Sequence, residues 1–234
     1  MILKRVLVNL TTGISFASAA LAGILGAAAP VQAGGDKVDG EPARIRRGFE
    51  IAPVPLNLEH RNPQLVGLGS YLVNAVGSCN LCHSAGTSTE FAPGGNPYFK
   101  GSPQVVVNQA TYLGGGRIFA SQVAGATPAI VSRNLTPDRT GRPVGGRTFP
   151  EFLDIMQTGV DLDHVHPNCA DPATSTSSSC FPVPLSFNGD VLQIMPWPSF
   201  RNMTEYELRA IYEYLSAIPC ITGPATGILH NDCQ

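Results

Sequence analysis

Cys79-Asn80-Leu81-Cys82-His83 sets two thiols three residues apart, with an imidazole directly after the second. On a helical turn both sulfurs lie on one side, at a spacing that reaches the two vinyl groups of one porphyrin. His83 is then carried beneath the ring, where it can ligate iron. Thioether bonds make such a cofactor permanent, which is useful where a dissociated haem would be lost. C-x-x-C-H occurs once, so the sequence predicts a single covalently attached haem c. The competing chemistry is a thiol redox pair or a disulfide. A redox pair calls for a βαβ context, whereas the residues before Cys79 carry a helical pattern.

A second axial ligand must come from elsewhere. Met156 falls on the apolar face of a predicted helix and reads as core. Met203 directly precedes a helix N-cap, the place of a hydrophobic staple. Met195 lies in Ile194-Met195-Pro196-Trp197-Pro198, an extended segment stiffened by two prolines, with a tryptophan to wall a pocket. It is the ligand candidate. His164 and His166, on an acid-flanked loop, offer a bis-histidine alternative or face solvent, and His60 and His230 have polar neighbours and face water.

These residues need elements to hold them. Asn62 as N-cap and Pro63 at the first position open a helix whose stripe is Leu65, Leu68, Leu72, Val73 and Val76, ending at Gly77. Thr148 with Glu151 forms a capping box for a helix over 149–158, closed by Gly159. Thr204 with Glu207 caps a third helix from Glu205 to about Ala217, stopped by Pro219. The intervening stretches are loops, with a small hairpin predicted between Val105–Val107 and Arg117–Ala120. The fold class is all-α with long loops and a small β-hairpin.

Charged residues make up only 14% while Gly (25) and Pro (20) abound, which fits a loop-rich domain and not a coiled coil or a disordered tail. No run of like charge exists, so nucleic acid is not an expected partner. Residues 1–33 read as a secretory signal: Lys4 and Arg5, an apolar small-residue stretch, and Val31-Gln32-Ala33 at the cut. An uncleaved anchor is the alternative, and no later segment spans a membrane. An irregular arm over 34–60, a domain over 61–219 and a tail over 220–234 follow. Cys169 with Cys180 and Cys220 with Cys233 is the simplest of three disulfide connectivities in an oxidising compartment, and a structural zinc site would lack its C-x-x-C.

The chain resembles single-haem class I-like cytochromes c, including the haem-c domains of bacterial dehydrogenase-associated cytochrome c subunits. The matching segments are Gly69–Ala75 leading into the haem motif, Arg133–Asp138, Met195–Pro198, and Met203-Thr204 through Tyr214-Leu215, in the family's order over about residues 65–219. The resemblance implies that the first and last helices cross and that His83 and Met195 are the axial ligands. It also implies that Asn134–Asp138 lies over a haem edge, with Arg133 and Asn134 as edge contacts and Arg139, Arg142 and Arg147 as further candidates for the propionates. The expected function is single-electron transfer in an exported, periplasmic or extracellular protein. It would act as a free carrier or as the electron-accepting subunit of a dehydrogenase, with a dehydrogenase, oxidase or another cytochrome as partner. Met/His ligation saturates the iron and suits outer-sphere transfer. Alternatives are a homo-oligomeric, conductive filament of single-haem units, or a haem enzyme (peroxidase or reductase) with an open iron site.

Overall fold

In the computed structural model, residues 40–102, 104–119, 130–163, 190–225 and 227–234 are described. The expected signal segment, His164, His166 and the Cys169–Cys180 pair lie outside them. The first long helix is an addition to the expected set. α1, Glu41–Ile51, lies within the stretch expected to be an irregular arm. Pro42 sits in its first turn, but its apolar stripe is narrow and interrupted by three arginines, so periodicity alone hides it. What stabilises it is contact with α2, Pro63–Tyr71. A Cβ on Gly48 would fall 1.8 Å from the Gly67 carbonyl oxygen, and one on Gly67 would fall 2.7 Å from the Phe49 ring. The two backbones meet with no room for side chains.

α2 starts as its sequence demands: Asn62 accepts the N–H of Gln64 at 2.9 Å. Its other face meets α7, Glu205–Ala217, where a Cβ on Gly69 would lie 1.9 Å from the Ala210 carbonyl oxygen. Val66, Leu68, Leu208, Tyr214 and Leu215 are buried around this crossing. Each contributes about 1.5–3 kcal/mol by leaving water. α2 ends in a π-helical turn, Leu72–Val76, closed by Gly77. Asn74 on that turn donates to the Tyr214 hydroxyl at 3.1 Å and accepts from Tyr112 at 2.5 Å, and the two phenols are 2.8 Å apart. Every polar group of this buried triad is thereby satisfied.

One-turn α3, Cys79–Cys82, follows directly. The hairpin pairs β1, Ile118–Phe119, with β2, Ile130–Val131, in antiparallel register. The expected partner was 105–107; Val107 instead bridges Phe91, because Ala92, Gly95 and Val106 close a local backbone ladder there. A turn at α4, Pro143–Gly146, leads to α5, Phe149–Thr158, whose capping box is formed as expected. α5 packs on α7 through Phe149 and Phe152 against the Tyr212 ring. The segment around Met195, expected to be extended, turns at Pro196 into one-turn α6, Trp197–Phe200. Cys220 and Cys233 are disulfide-bonded, 5.7 Å apart at Cα, closing the tail. A closure of this length is worth about 3 kcal/mol in chain-entropy terms.

Candidate functional site

Ser78 takes the left-handed conformation (φ 47°), re-aiming the chain between the π-turn and α3. Cys79, Cys82 and His83 then open onto a single deep, mostly apolar cavity. A strap at 113–117 grips this turn. Asn80 Oδ1 accepts the Leu113 N–H at 2.9 Å, Gly115 N–H donates to the His83 carbonyl at 2.8 Å, and Arg117 donates to the Leu81 carbonyl. Gly115 (φ +72°) must be glycine on two counts, since its Cβ would also sit 2.5 Å from the Arg133 carbonyl group. That carbonyl lies 2.9 Å from His83 Nδ1. A carbonyl only accepts, so Nδ1 carries the proton and Nε2 keeps its lone pair. Burial holds the His83 pKa below the ordinary imidazole value, opposed by this hydrogen bond and reinforced by the Arg133 charge. The ring is neutral, as a metal ligand must be. Burial, and then the neighbouring Cys82, push the Cys79 thiol up to about 12. A disulfide oxidoreductase depends on the opposite shift.

The cavity walls come from Leu72, Val73 and Val76 behind the motif, Leu135, α5 through Phe152, Ile155 and Met156, and α7 through Ile211 and Leu215. Met195 and Met203 also line it, so all three methionines weighed as ligands border the cavity. Met156 is 4% exposed, as the core reading expects, yet it too borders the cavity. Met195 is positioned by an isolated bridge, Val160 to Val191, and by the Trp197 N–H bonded to its carbonyl at 2.8 Å. Trp197 itself does not line the cavity as expected. It packs against Gly159, and its indole N–H donates to the Leu192 carbonyl at 3.1 Å.

A polar rim closes one side. Arg133 bonds Asp161 and Asp163, and Arg147 reaches Asp163 and, at 3.8 Å, Glu151. Arg133, Arg147, Asp161 and Asp163 all line the cavity. Arg139 pairs instead with Asp232 of the tail, and neither it nor Arg142 is in the lining. Asn134 also departs from its expected place at a haem edge. Its side chain is buried against the tail, donating to the carbonyls of Ile221 and Leu229, because its neighbours Arg133 and Leu135 take the cavity side of the segment. Asp161, 1% exposed, escaped the sequence reading, since an isolated aspartate beside a loop gives no signal until Arg133 is seen opposite it. The Gly114-Gly115-Gly116 run was the one visible hint of the strap.

The donor set fits a haem c. Two unpaired thiols, a neutral imidazole with its outer nitrogen bonded, and thioethers surround an apolar space with arginines at its edge. Among the described residues no cluster of three or more His, Cys, Asp or Glu is arranged to hold a bare metal ion. No family model and no solved structure matches the chain. Among curated proteins it is similar to the gluconate 2-dehydrogenase cytochrome c subunit of Pantoea cypripedii, 27% identical over 157 residues. That match covers 67% of this chain and 24% of the relative, so the chain spans about a quarter of the relative's length. The mostly helical fold with its two-stranded hairpin is consistent with an all-α, cytochrome c-like domain, and the likeness supports electron transfer as the broad activity. No helix among the described residues is long and apolar enough to cross a membrane.

Proposed function

We propose that this chain is an exported, single-haem electron-transfer protein. Cys79 and Cys82 provide the thioether attachments, and His83 and Met195 the axial ligands. The observation that carries the reading is the commitment of His83 Nδ1 to the Arg133 carbonyl, while Nε2 remains for a ligand in a cavity shared with both thiols and Met195. A haem held there supplies reversible one-electron chemistry at its iron. The chain's own part is to keep water out with an apolar wall, to fix the imidazole's tautomer, and to set charge at the rim through Arg133 and Arg147. The curated relative's name supports a dehydrogenase as the electron donor, and the signal-like leader with a disulfide-closed tail supports export.

Visible spectra of the exported protein in both redox states, with and without carbon monoxide, test this. A haem that stays attached in acid acetone and does not bind carbon monoxide is expected. Met156 and Met203 border the same cavity and are the specific competitors of Met195. Met195→Ala is therefore expected to abolish the weak far-red band of thioether–iron ligation and to open the iron to carbon monoxide, with Met156→Leu and Met203→Leu leaving both unchanged. Loss of the band in either of those variants, and not in Met195→Ala, would reassign the ligand.

A further inference from the structure

The C-terminal tail is fastened to the back of the 133–136 segment, whose front borders the cavity. Asn231, 2% exposed, donates from Nδ2 to the Thr136 carbonyl at 2.8 Å and to its hydroxyl at 3.0 Å. Asn134, 1% exposed, donates to the tail carbonyls of Ile221 at 2.7 Å and Leu229 at 3.1 Å. The Thr136 hydroxyl donates to Asn134 Oδ1 at 2.7 Å and accepts the Ile221 N–H at 3.0 Å. Cys220–Cys233 ties the two ends of the tail together around this knot. Electron transfer as such uses none of these groups.

Their effect falls on one peptide plane. The carbonyl that accepts from His83 Nδ1 belongs to the Arg133–Asn134 peptide. On one side Gly115 presses on that plane, its Cβ position lying 2.5 Å from Arg133 C and O and 2.6 Å from Asn134 N. On the other side the Asn134 side chain is held by the tail. Rotating the plane so that the carbonyl leaves His83 would pull Asn134 from Ile221 and Leu229. We propose that the disulfide-closed tail is a positioning device for His83, with Asn231 and Asn134 as positioning residues that keep the Arg133 carbonyl aimed at Nδ1. Because that bond raises the imidazole's strength as a donor, the tail tunes the haem from a segment that does not touch the cavity. The inference rests on the haem reading above.

The test uses the exported holoprotein and two variants, Asn231→Ala and the double Cys220→Ala/Cys233→Ala, with Val54→Ala as a core variant. Two quantities are read in each: solvent exchange of the His83 Nδ1 proton by NMR, and the midpoint potential. Losing the two Asn231 hydrogen bonds is expected to speed exchange about thirtyfold. A weaker Nδ1–H bond makes His83 a poorer donor, so the potential is expected to rise in both tail variants. Val54→Ala is expected to lower the unfolding midpoint and change neither reading. If the tail variants lose stability but keep wild-type exchange and potential, the tail is only a staple and the proposal fails. If the wild-type chain carries no covalent haem, the reading beneath it fails first.

Discussion

Gly159→Ala is the substitution that best tests how Met195 is held. Gly159 ends α5 in the left-handed region (φ 76°), and its Cβ position lies 2.3–2.4 Å from three ring atoms of Trp197. Three costs follow. Left-handed geometry costs an alanine roughly 1 kcal/mol. The added methyl must drive the indole back by about 1 Å, an overpacking of about 1–3 kcal/mol. That movement weakens the indole's bond to the Leu192 carbonyl, worth about 1 kcal/mol. The expected loss is about 3–5 kcal/mol, a large share of the stability of an ordinary domain. Met195 precedes Trp197 by two residues and is bonded to its N–H, so the far-red thioether band is expected to weaken as well.

The assay is urea unfolding followed by far-UV circular dichroism, run as a double-mutant cycle with Trp197→Ala. Without the indole, Gly159→Ala has only the backbone cost left, about 1 kcal/mol. The coupling between the two positions is therefore expected to be about 2 kcal/mol or more. Equal costs in the two backgrounds would refute the contact as the cause. A cost below about 1 kcal/mol in the wild-type background would refute the left-handed cap too.

Other expectations are simpler. Gly69→Ala puts a methyl 1.9 Å from the Ala210 carbonyl oxygen, backbone that cannot turn aside, so the α2–α7 crossing must open by about 1 Å. A loss of at least about 3 kcal/mol is expected in thermal unfolding, and a normal midpoint would refute the crossing. Tyr112→Phe and Tyr214→Phe each strand a partner in the buried triad with Asn74, costing about 1–2 kcal/mol, and the double variant should cost clearly less than their sum. The Thr148 N–H, and then its hydroxyl, hold the Glu151 carboxylate below the usual 4.5. A lowered native pKa gives stability that is present above 4.5 and lost as pH falls through the native value. Glu151→Gln removes the titrating group and should therefore flatten the acid side of the stability profile, and an unchanged slope below pH 4.5 would refute the capping box as its source.

The helices that carry strong local signals were legible in the sequence. Thr148 with Glu151 and Thr204 with Glu207 mark both starts through a reciprocal bond needing only four residues, and Gly159 marks an end through backbone freedom. α1 was not legible because its stabilising contact is the approach of Gly48 to Gly67, and two separated glycines carry no period. The hairpin was misplaced because β2 is two residues long, while Val105–Val107 is longer and pairs locally with Phe91 and Ala92. At the site, Cys79, Cys82 and His83 fall within five residues, so a local motif is enough to single them out. Asn134 misled because segment 133–136 alternates sides, and only the tail's position shows which side faces the cavity.

A division of labour runs through the walls of the cavity. The long helices form the back of the cavity, but each chemical group on it stands beside a non-helical anchor. His83 depends on the strap and Arg133, and Met195 on the Val160–Val191 bridge. At that bridge the Asp161 N–H meets the Asp190 carbonyl at 2.8 Å, and the Leu192 N–H meets the Gly159 carbonyl at 2.7 Å. The chain between residues 163 and 190 therefore leaves and returns at one pinned point. Met195 follows that bridge by four residues, so its place at the cavity is set by the bridge and by its carbonyl's bond to the Trp197 N–H.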